Sequence, residues 1–275
     1  MRCQLLGTGC PIPDVQRQGP SQVMLFESGE SVLVDCGSGA AMQLVRAGVP
    51  LKKVKTLLFT HHHSDHNIDY GHFLLTSWVM GRHDPLRVYG GERMKRISET
   101  LLDLHAYDIE LRRSFKGGTR PYPSIAAHEV DQGFVLEGKG WRAAFFENEH
   151  PPVTPSFGIR FEAPNRCIVI SGDTRPCDAV IKNARGADVL IHECMQLTNL
   201  PPALKASWNS EAEMVRDLGS YHTLPEDVGK VAREARVKKL VLTHLVPNTD
   251  VAKLLEVVRR DYQGEIVVGE DLMVV

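Results

Sequence analysis

The 275-residue sequence lacks the features that mark interdomain linkers, secretion or a membrane span. It has no run rich in proline, glycine or serine and no block of like charge, so we expect one domain over residues 1–275. No apolar run approaches the roughly 18 residues that a membrane span needs. The start, MRCQLLGTGCP, lacks the apolar stretch of a signal peptide. We therefore expect a cytoplasmic protein without a membrane partner.

A strong charge imbalance and paired cysteine motifs are missing as well. The net charge is −2, so no global field attracts nucleic acid or an anionic membrane. The six cysteines form no Cys-x-x-Cys pair, and several stand in or beside apolar runs, which is typical of buried, reduced thiols. Hydrophobic content of 43% and charged content of 24% are ordinary for a globular enzyme with a sizeable core.

What the sequence does contain is a dense group of metal-binding residue types in residues 57–67, LLFTHHHSDHN. The apolar start is typical of a buried strand, in which side chains alternate, so His61 and His63 point the same way and can bind one ion. Asp65 and His66 stand where the chain should turn into the next helix, and they can face a second ion. Imidazole and carboxylate suit Zn²⁺, Fe²⁺ or Mn²⁺. The segment predicts a metal site.

The pattern T-H-x-H-x-D-H after an apolar strand resembles the signature of the metallo-β-lactamase superfamily. His150 lies between two strand-like runs, Asp173 follows CIVISG and His244 follows KLVLT, in the order found in that family. The resemblance covers nearly the whole chain. It implies two divalent ions with His61, His63 and His150 on one, Asp65, His66 and His244 on the other, and Asp173 bridging them.

Strands that first form hairpins and then alternate with helices predict a layered α/β fold. The resemblance implies an αββα sandwich, with two mixed β-sheets face to face, helices on the outer faces and the metals at one edge. Residues 91–116 show the apolar periodicity of an amphipathic helix, which would pack on the body, cap the pocket or form a homodimer face. The resemblance implies that Asp35 supports the metal loop from behind, and the alternative is an aspartate that forms a turn beside glycine.

Within the superfamily, the segments LGTGCPIP, HEC and HT most resemble the ribonuclease Z branch. In that branch a glutamate orients a histidine that either assists the leaving group or binds the transferring oxygen. The resemblance implies these roles for Glu193 and His222, beside Asp65 as a catalytic residue. The pattern Thr-x-x-Glu at 223–226 predicts a capping box for the next helix.

One departure from that branch concerns its tRNA-gripping arm, a projection of several dozen residues. Here His150 and Asp173 stand 173 − 150 = 23 positions apart, which leaves no room for the arm. Four basic residues form a small cluster that could be interpreted as a nucleic-acid patch: Arg112, Arg113, Lys116 and Arg120. We interpret this basic cluster as a solvated loop. We do not expect a nucleic-acid partner.

Two divalent ions about 3.5–4 Å apart can share a water and lower its pKa from 15.7 toward about 7. We therefore expect a dinuclear hydrolase, with zinc favoured and manganese or iron as alternatives. The first hypothesis for its substrate is a small-molecule ester, lactone, amide or activated aromatic. A ribonuclease Z-like phosphodiesterase is the second. An iron redox enzyme is the third, and the complete ligand set, His63 included, argues against it.

Overall fold

The computed structural model describes residues 1–115, 117 and 120–275, and two mixed β-sheets form the centre of that described part. The first sheet runs in the order β1 to β6: Arg2–Gly7, Ser21–Leu25, Ser31–Val34, Thr56–Leu58, Leu86–Gly90 and Ile125–Glu129. The second runs in sequence from one edge to the other, β7 to β13: Val135–Gly138, Trp141–Glu147, Phe157–Ala163, Arg166–Ile170, Val189–Glu193, Lys239–Thr243 and Glu265–Val268. In each sheet the first strands pair antiparallel and the later ones parallel.

The α-helices of the described residues follow in chain order as α1 to α10: Ala40–Arg46, Ser64–Asn67, Tyr70–Val79, Met94–Leu104, Ala106–Ser114, Asp178–Ala184, Pro202–Lys205, Glu211–Leu218, Pro225–Ala235 and Val251–Val258. Helices α1, α3 and α4 contribute buried apolar residues to the outer core of the first sheet, and α6, α9 and α10 to that of the second. This arrangement confirms the predicted αββα sandwich. Within the described part of the chain, no helix has both the length and the apolarity to cross a membrane.

Alternation along the strands explains the layered core. In β3, Val32 and Val34 pack between the two sheets, whereas Leu33 packs under the helices. In β11, Ile191 belongs to the core between the sheets and Leu190 to the outer core. Both faces of these strands are buried, so their sequences read as continuous apolar runs.

The predicted single helix over residues 91–116 was wrong, because α4 and α5 are separate helices that meet at His105. Apolar periodicity runs through the junction and gives no sign of a one-residue break. Leu104, Tyr107 and Leu111 are 71%, 81% and 54% exposed, so part of the apolar face has no packing partner among the described residues. Lys116, at the end of the predicted range, lies outside them.

The predicted capping box at 223–226 was also wrong. Helix α9 begins at Pro225, and no side chain caps its first turn. The hydroxyl of Thr223 instead donates to the carbonyl oxygen of Thr174 at 2.7 Å. This hydrogen bond joins the loop that carries His222 to the loop that follows β10.

Between β11 and α9 lie two short helices, α7 and α8, that the sequence pattern did not indicate. Their apolar side chains pack with those of the N-terminal loop into a small cluster, apart from the core between the sheets and the two outer cores. The buried members of this cluster are Cys10, Met195, Leu197, Leu200, Met214, Leu218 and Val246. The cluster covers one end of the sandwich, beside the loop that holds residues 10–12.

A glycine between β10 and Asp173 provides a test of this packing. Gly172 has φ +63°, and a Cβ there would lie 2.4 Å from the carbonyl oxygen of Phe157. Gly186 has a similar φ of +68°, with no heavy atom within 4 Å of the same position. Either Gly→Ala change should cost about 1–2 kcal/mol for the left-handed backbone. Gly172→Ala should lose about 1–3 kcal/mol more through overpacking.

The free energy of unfolding of both variants can be measured by urea titration. Because the two positions share their backbone conformation, Gly186→Ala is the matched control. Equal losses at the two positions would show that the contact with Phe157 imposes no constraint on the loop.

Candidate metal centre

The seven predicted ligands meet at one edge of the sandwich. They come from the loop after β4, from α2, from the loop between β8 and β9, and from the chain directly after β10 and β12. Side-chain alternation is visible in the histidine run, since His62 turns aside and its ring nitrogen lies 3.4 Å from the carbonyl oxygen of Gly91. The residues brought together are His61, His63, Asp65, His66, His150, Asp173 and His244.

The carboxylate of Asp173 lies at the centre of the group. Its Oδ2 atom is 3.2 Å from Nε2 of His244 and 3.3 Å from Nε2 of His66. It is 3.8 Å from Nε2 of His61 and 4.0 Å from Nε2 of His150. The carboxylate of Asp173 thus lies between histidines predicted for the first ion and histidines predicted for the second. A ligand shared by two ions requires this position.

The donor atoms form two groups, each within 4.8 Å: His61, His63, His150 and Asp173 in one, and Asp65, His66 and His244 in the other. Nε2 of His150 is 3.3 Å from Nδ1 of His63, and Nε2 of His244 is 3.4 Å from Oδ2 of Asp65. A tetrahedral zinc ion with bonds of about 2.0–2.1 Å places its ligands about 3.4 Å apart. The spacing therefore suits a first-row divalent ion at each position.

Unsatisfied polar atoms support the same conclusion. Nε2 of His61, His66 and His244 and Oδ2 of Asp65 are buried without a hydrogen-bond partner among the described residues. One such atom costs about 1–3 kcal/mol, and four of them here point into a common space. Metal coordination would satisfy them all. The residues fit two divalent ions, whose number and identity stay predictions.

Burial and charge act in opposite directions on these groups. Burial holds the pKa of His61 well below its ordinary value, so this imidazole stays neutral and keeps a lone pair to donate. Burial alone would lower the pKa of His66, but the carboxylates of Asp173 and Asp35 raise it well above the usual range. Burial would raise the pKa of Asp173, but His244 and His66 hold it well below its ordinary value. Protons and metal ions compete for the same atoms.

Asp35 lies behind the metal loop, which is the first of the two alternatives expected for it. Its Oδ1 accepts from the backbone N–H of Thr60 at 2.8 Å, and its Oδ2 accepts from the Thr60 hydroxyl at 2.8 Å. The same Oδ2 is 2.8 Å from Nδ1 of His66. When Nδ1 donates to Asp35, Nε2 of His66 is free to bind a metal. A hydrogen bond of this kind to a carboxylate orients many metal-binding histidines. Asp35 and His244 both have left-handed backbone, with φ of 56° and 57°.

Glu193 and His222 form a hydrogen-bonded pair beside the centre. Oε1 of Glu193 accepts from Nδ1 of His222 at 2.8 Å and from the backbone N–H of Thr174 at 2.7 Å. A nitrogen of His222 also lies within 4.8 Å of donor atoms of Asp173 and His244. The contact between Glu193 and His222 agrees with the predicted orientation of the histidine by the glutamate. The catalytic role of the pair stays a prediction. The distances also permit His222 to bind one ion.

A cavity of about 380 Å³ opens directly beside the metal-binding residues. Apart from the predicted ligands, its walls come from residues 10–12 and from residues 195–222. Helices α7 and α8 therefore border the site, and none of the described residues of the 91–116 segment lines this cavity. The described lining residues are Cys10, Pro11, Ile12, His63, Asp65, Asp173, Met195, Leu200, Leu204, Trp208, Leu218, Tyr221, His222 and His244. The apolar wall is the part of the site that sequence reasoning missed, because short helices with few apolar residues leave little periodic signal.

Comparison with known proteins decides the family. A family model described as "Anti-Pycsar protein Apyc1" matches residues 1–210 of the chain. Ribonuclease Z of Mycobacterium bovis (strain BCG / Pasteur 1173P2) is 32% identical over 277 residues, with 98% of this chain and 95% of that protein covered. The chain belongs to the ribonuclease Z-like branch of the metallo-β-lactamase superfamily. Its family makes it a metal-dependent hydrolase, as the sequence predicted.

Solved structures share the fold over the full length. YhfI from Bacillus subtilis, described as a metallo-β-lactamase fold protein, has a TM-score of 0.75 and 20% identity, with 100% of this chain and 98% of that chain covered. The short form of human tRNase Z has a TM-score of 0.74 and 23% identity, with the same coverage. At these identities the likeness concerns the fold, and it confirms the predicted architecture.

The relatives also bear on the argument about the arm. In this chain β9 and β10 form a simple antiparallel hairpin between His150 and Asp173. The alignment leaves only a small part of the M. bovis ribonuclease Z unmatched, since 95% of it is covered. A missing arm therefore does not separate this chain from that relative, and the expectation of no nucleic-acid partner loses part of its support.

Metal content provides a test of the ligand assignment. Protein loaded with zinc and freed of excess ion should contain about two ions per chain. Asp65→Ala should retain about one, because it removes a donor from the group of His66 and His244 and leaves the other group intact. Elemental analysis after gel filtration measures both values.

The matched control is Asp103→Ala, an exposed carboxylate on α4, which should keep two ions. A wild-type protein that saturates with one ion, or an Asp65→Ala variant that still holds two, would contradict the assignment of two separate groups.

Proposed function

We propose that this chain is a dinuclear metal-dependent phosphodiesterase. The observation that carries the proposal is the Glu193–His222 pair, a histidine oriented by a buried carboxylate beside donors for two ions. Relatives named ribonuclease Z support the phosphodiester hypothesis over the carboxylic ester, lactone or amide that we placed first from sequence. We therefore put the second hypothesis in first place.

The chemistry divides between ions and side chains. When bound, two divalent ions supply hydroxide at neutral pH and offset the charge on the phosphoryl oxygens. The residues that would hold them are His61, His63 and His150 on one side, Asp65, His66 and His244 on the other, and Asp173 between. Asp65 lines the cavity beside these residues, so its carboxylate would both contribute to the second group and accept a hydrogen bond from the attacking water.

His222 serves the other end of the reaction. As the new P–O bond forms and the ester P–O bond breaks, the leaving oxygen gains the negative charge of an alkoxide. The imidazole donates a proton to that oxygen, and the product leaves as an alcohol. Glu193 accepts from Nδ1, so it keeps the ring oriented and stabilises the charged imidazolium. General acid catalysis of this kind contributes about 10²–10⁴-fold.

Two arginines of the basic cluster already have partners within the chain, which supports a small phosphodiester over a folded RNA. Arg112 forms an ion pair with Asp108, and Arg120 stacks 5.1 Å from the ring of Trp78. Trp78 stands near the end of α3, whereas the predicted ligands Asp65 and His66 stand just before its start. A ten-residue helix spans about 15 Å. Arg120 therefore lies about one helix length from Asp65 and His66, and another member of the cluster, Lys116, lies outside the described residues.

A substrate panel tests the proposal. Zinc-loaded protein should hydrolyse bis(4-nitrophenyl) phosphate and unactivated nucleoside phosphodiesters. It should hydrolyse 4-nitrophenyl acetate, an acyl lactone and a β-lactam much more slowly, and it should cleave precursor tRNA poorly at physiological salt. Initial rates at equal substrate concentration decide the order.

Two outcomes would contradict the proposal. Faster hydrolysis of an ester or lactone than of every phosphodiester would restore the first hypothesis from sequence. Efficient, site-specific cleavage of precursor tRNA would show that an RNA surface exists which the charges of the described residues do not indicate.

The role of His222 predicts a dependence on the leaving group. His222→Ala should keep its metal and lose about 10²–10⁴-fold in kcat toward diesters with alkoxide leaving groups. The loss should be small for 4-nitrophenolate, which leaves without a proton. Glu193→Gln should show part of the same pattern, because it weakens the orientation of the ring.

Metal analysis and rates over a series of leaving-group pKa values measure these effects. His72→Ala, which removes an exposed histidine on α3, is the matched control and should change neither. Loss of metal from His222→Ala would make this residue a ligand. Equal losses for all leaving groups would show that it binds the substrate rather than protonating it.

A further inference from the structure

We propose that Asn148 is a positioning residue of the metal centre. Through its side-chain amide it holds the carboxylate of Asp173 within reach of the ion that His61, His63 and His150 would bind. Asn148 directly follows β8, stands two residues before His150 and is buried. The inference rests on the assignment of two ions that the proposed function uses, and it concerns a side chain that is not one of the predicted ligands.

The amide of Asn148 is hydrogen-bonded to the loop that carries Asp173. Its Nδ2 atom donates to the backbone carbonyl oxygen of Ser171 at 2.6 Å, two residues before Asp173. A Cβ at Gly172, which lies between these two residues, would be 3.2 Å from the same nitrogen. The amide group therefore packs directly against the left-handed turn that leads into Asp173.

A second connection joins the same two segments on the other side of Asp173. The backbone N–H of Arg175 donates to the carbonyl oxygen of Glu149 at 2.8 Å. Asp173 thus lies between two connections to the chain that leads to His150. The connection after Asp173 is made by the backbone, whereas the connection before it is made by the side chain of Asn148. A substitution can therefore remove the second of these and leave the first.

The distances at Asp173 show which contact depends most on Asn148. Its Oδ2 atom is 3.2 Å from Nε2 of His244 but 4.0 Å from Nε2 of His150. The carboxylate is thus closer to the group of the second ion. A small shift of its loop away from His150 would separate it from the first ion and leave its contact with the second. Asn148 opposes this shift because it ties the loop to the segment that carries His150.

The chemistry of the side chain favours this role over simple packing. Only the amide nitrogen can donate to a carbonyl oxygen, so Oδ1 of Asn148 points away from Ser171. That oxygen is buried without a partner among the described residues, and burying an acceptor in this way is costly. An apolar side chain of similar size would not carry this cost. The backbone N–H of Asn148 donates to the carbonyl oxygen of Ser156 at 3.0 Å, which fixes the origin of the side chain.

The affinity for the more weakly held ion tests the inference. Zinc-loaded protein is titrated with a chelator of known affinity, and the zinc that stays bound is measured. The wild-type protein should hold two ions. Asn148→Leu, which keeps the approximate size and removes the donor, should hold the weaker ion about 10- to 100-fold less tightly, as is typical for residues that orient metal ligands. The tighter ion should change less, because its own donors stay in place.

Manganese provides a readout that a general loss of stability would not produce. Two Mn²⁺ ions that share bridging ligands are magnetically coupled, and their electron paramagnetic resonance spectrum differs from the hyperfine-split signal of an isolated Mn²⁺ ion. Manganese-loaded wild-type protein should show the coupled spectrum. Asn148→Leu should lose part of it and show the signal of isolated ions at the same manganese concentration.

Asn183→Leu is the matched control. Nδ2 of Asn183 donates to the carbonyl oxygen of Ala179 at 2.8 Å near the end of α6, so this variant loses the same kind of hydrogen bond at a residue outside the metal loops. It should keep the zinc affinity and the coupled spectrum of the wild type. Asn148→Ala is a second variant with a smaller side chain, for the case that leucine does not fit. The thermal unfolding midpoint shows whether each variant is folded.

The outcomes separate this inference from the assignments on which it rests. Folded Asn148 variants that keep both the zinc affinity and the coupled spectrum would overturn the positioning role and leave the two ions and the phosphodiesterase proposal standing. An equal loss in Asn183→Leu would overturn it as well, because the effect would then follow from stability. A wild-type protein that holds one ion, or two ions without magnetic coupling, would overturn the assignment of two bridged ions, and the inference with it.

Discussion

The buried carboxylate of Asp173, surrounded by the imidazoles of four histidines, is the interaction on which the rest of the structure depends. A carboxylate placed so deep is costly unless positive charge or a metal compensates it. The chain meets this need with loops from both sheets. Gly172 takes a left-handed conformation directly before Asp173, and Asp35 holds His66 from behind. Stability and metal binding therefore draw on the same few residues.

The proposed acid and the apolar wall belong to the same framework as the metal ligands. Thr174, next to Asp173, donates to Glu193, and its carbonyl oxygen accepts from Thr223, the neighbour of His222. The carbonyl oxygen of Tyr221 accepts from His150. Residues 221–223 thus contact the loop of Asp173, the predicted ligand His150 and the cavity at once. A shift of this short segment would move His222, the proposed acid, together with the apolar wall of the cavity.

Local patterns predicted a layered α/β fold and a metal site at residues 61–66, and the family resemblance added the αββα order and the three later candidate ligands. Strands buried on two faces read as unbroken apolar runs, and His61, His63, Asp65 and His66 stand within six positions. Features that depend on distant contacts were missed. Thr223 has a capping sequence, but Thr174 competes for its hydroxyl, and His105 divides a helix whose periodicity is continuous. Trp208 has no distinguishing sequence pattern, and only its hydrogen bond to Asp217 of α8 reveals its place on the cavity wall. The single domain over residues 1–275 stays a prediction.

The central claim is that one chain binds two divalent ions with a shared carboxylate between them. Anomalous diffraction from crystals of the zinc-loaded protein, collected on both sides of the zinc absorption edge, tests it most directly. The account predicts two zinc peaks about 3.5–4 Å apart, with Asp173 contacting both, His150 contacting only one and His244 only the other. A single zinc peak, or two peaks without Asp173 between them, would contradict it.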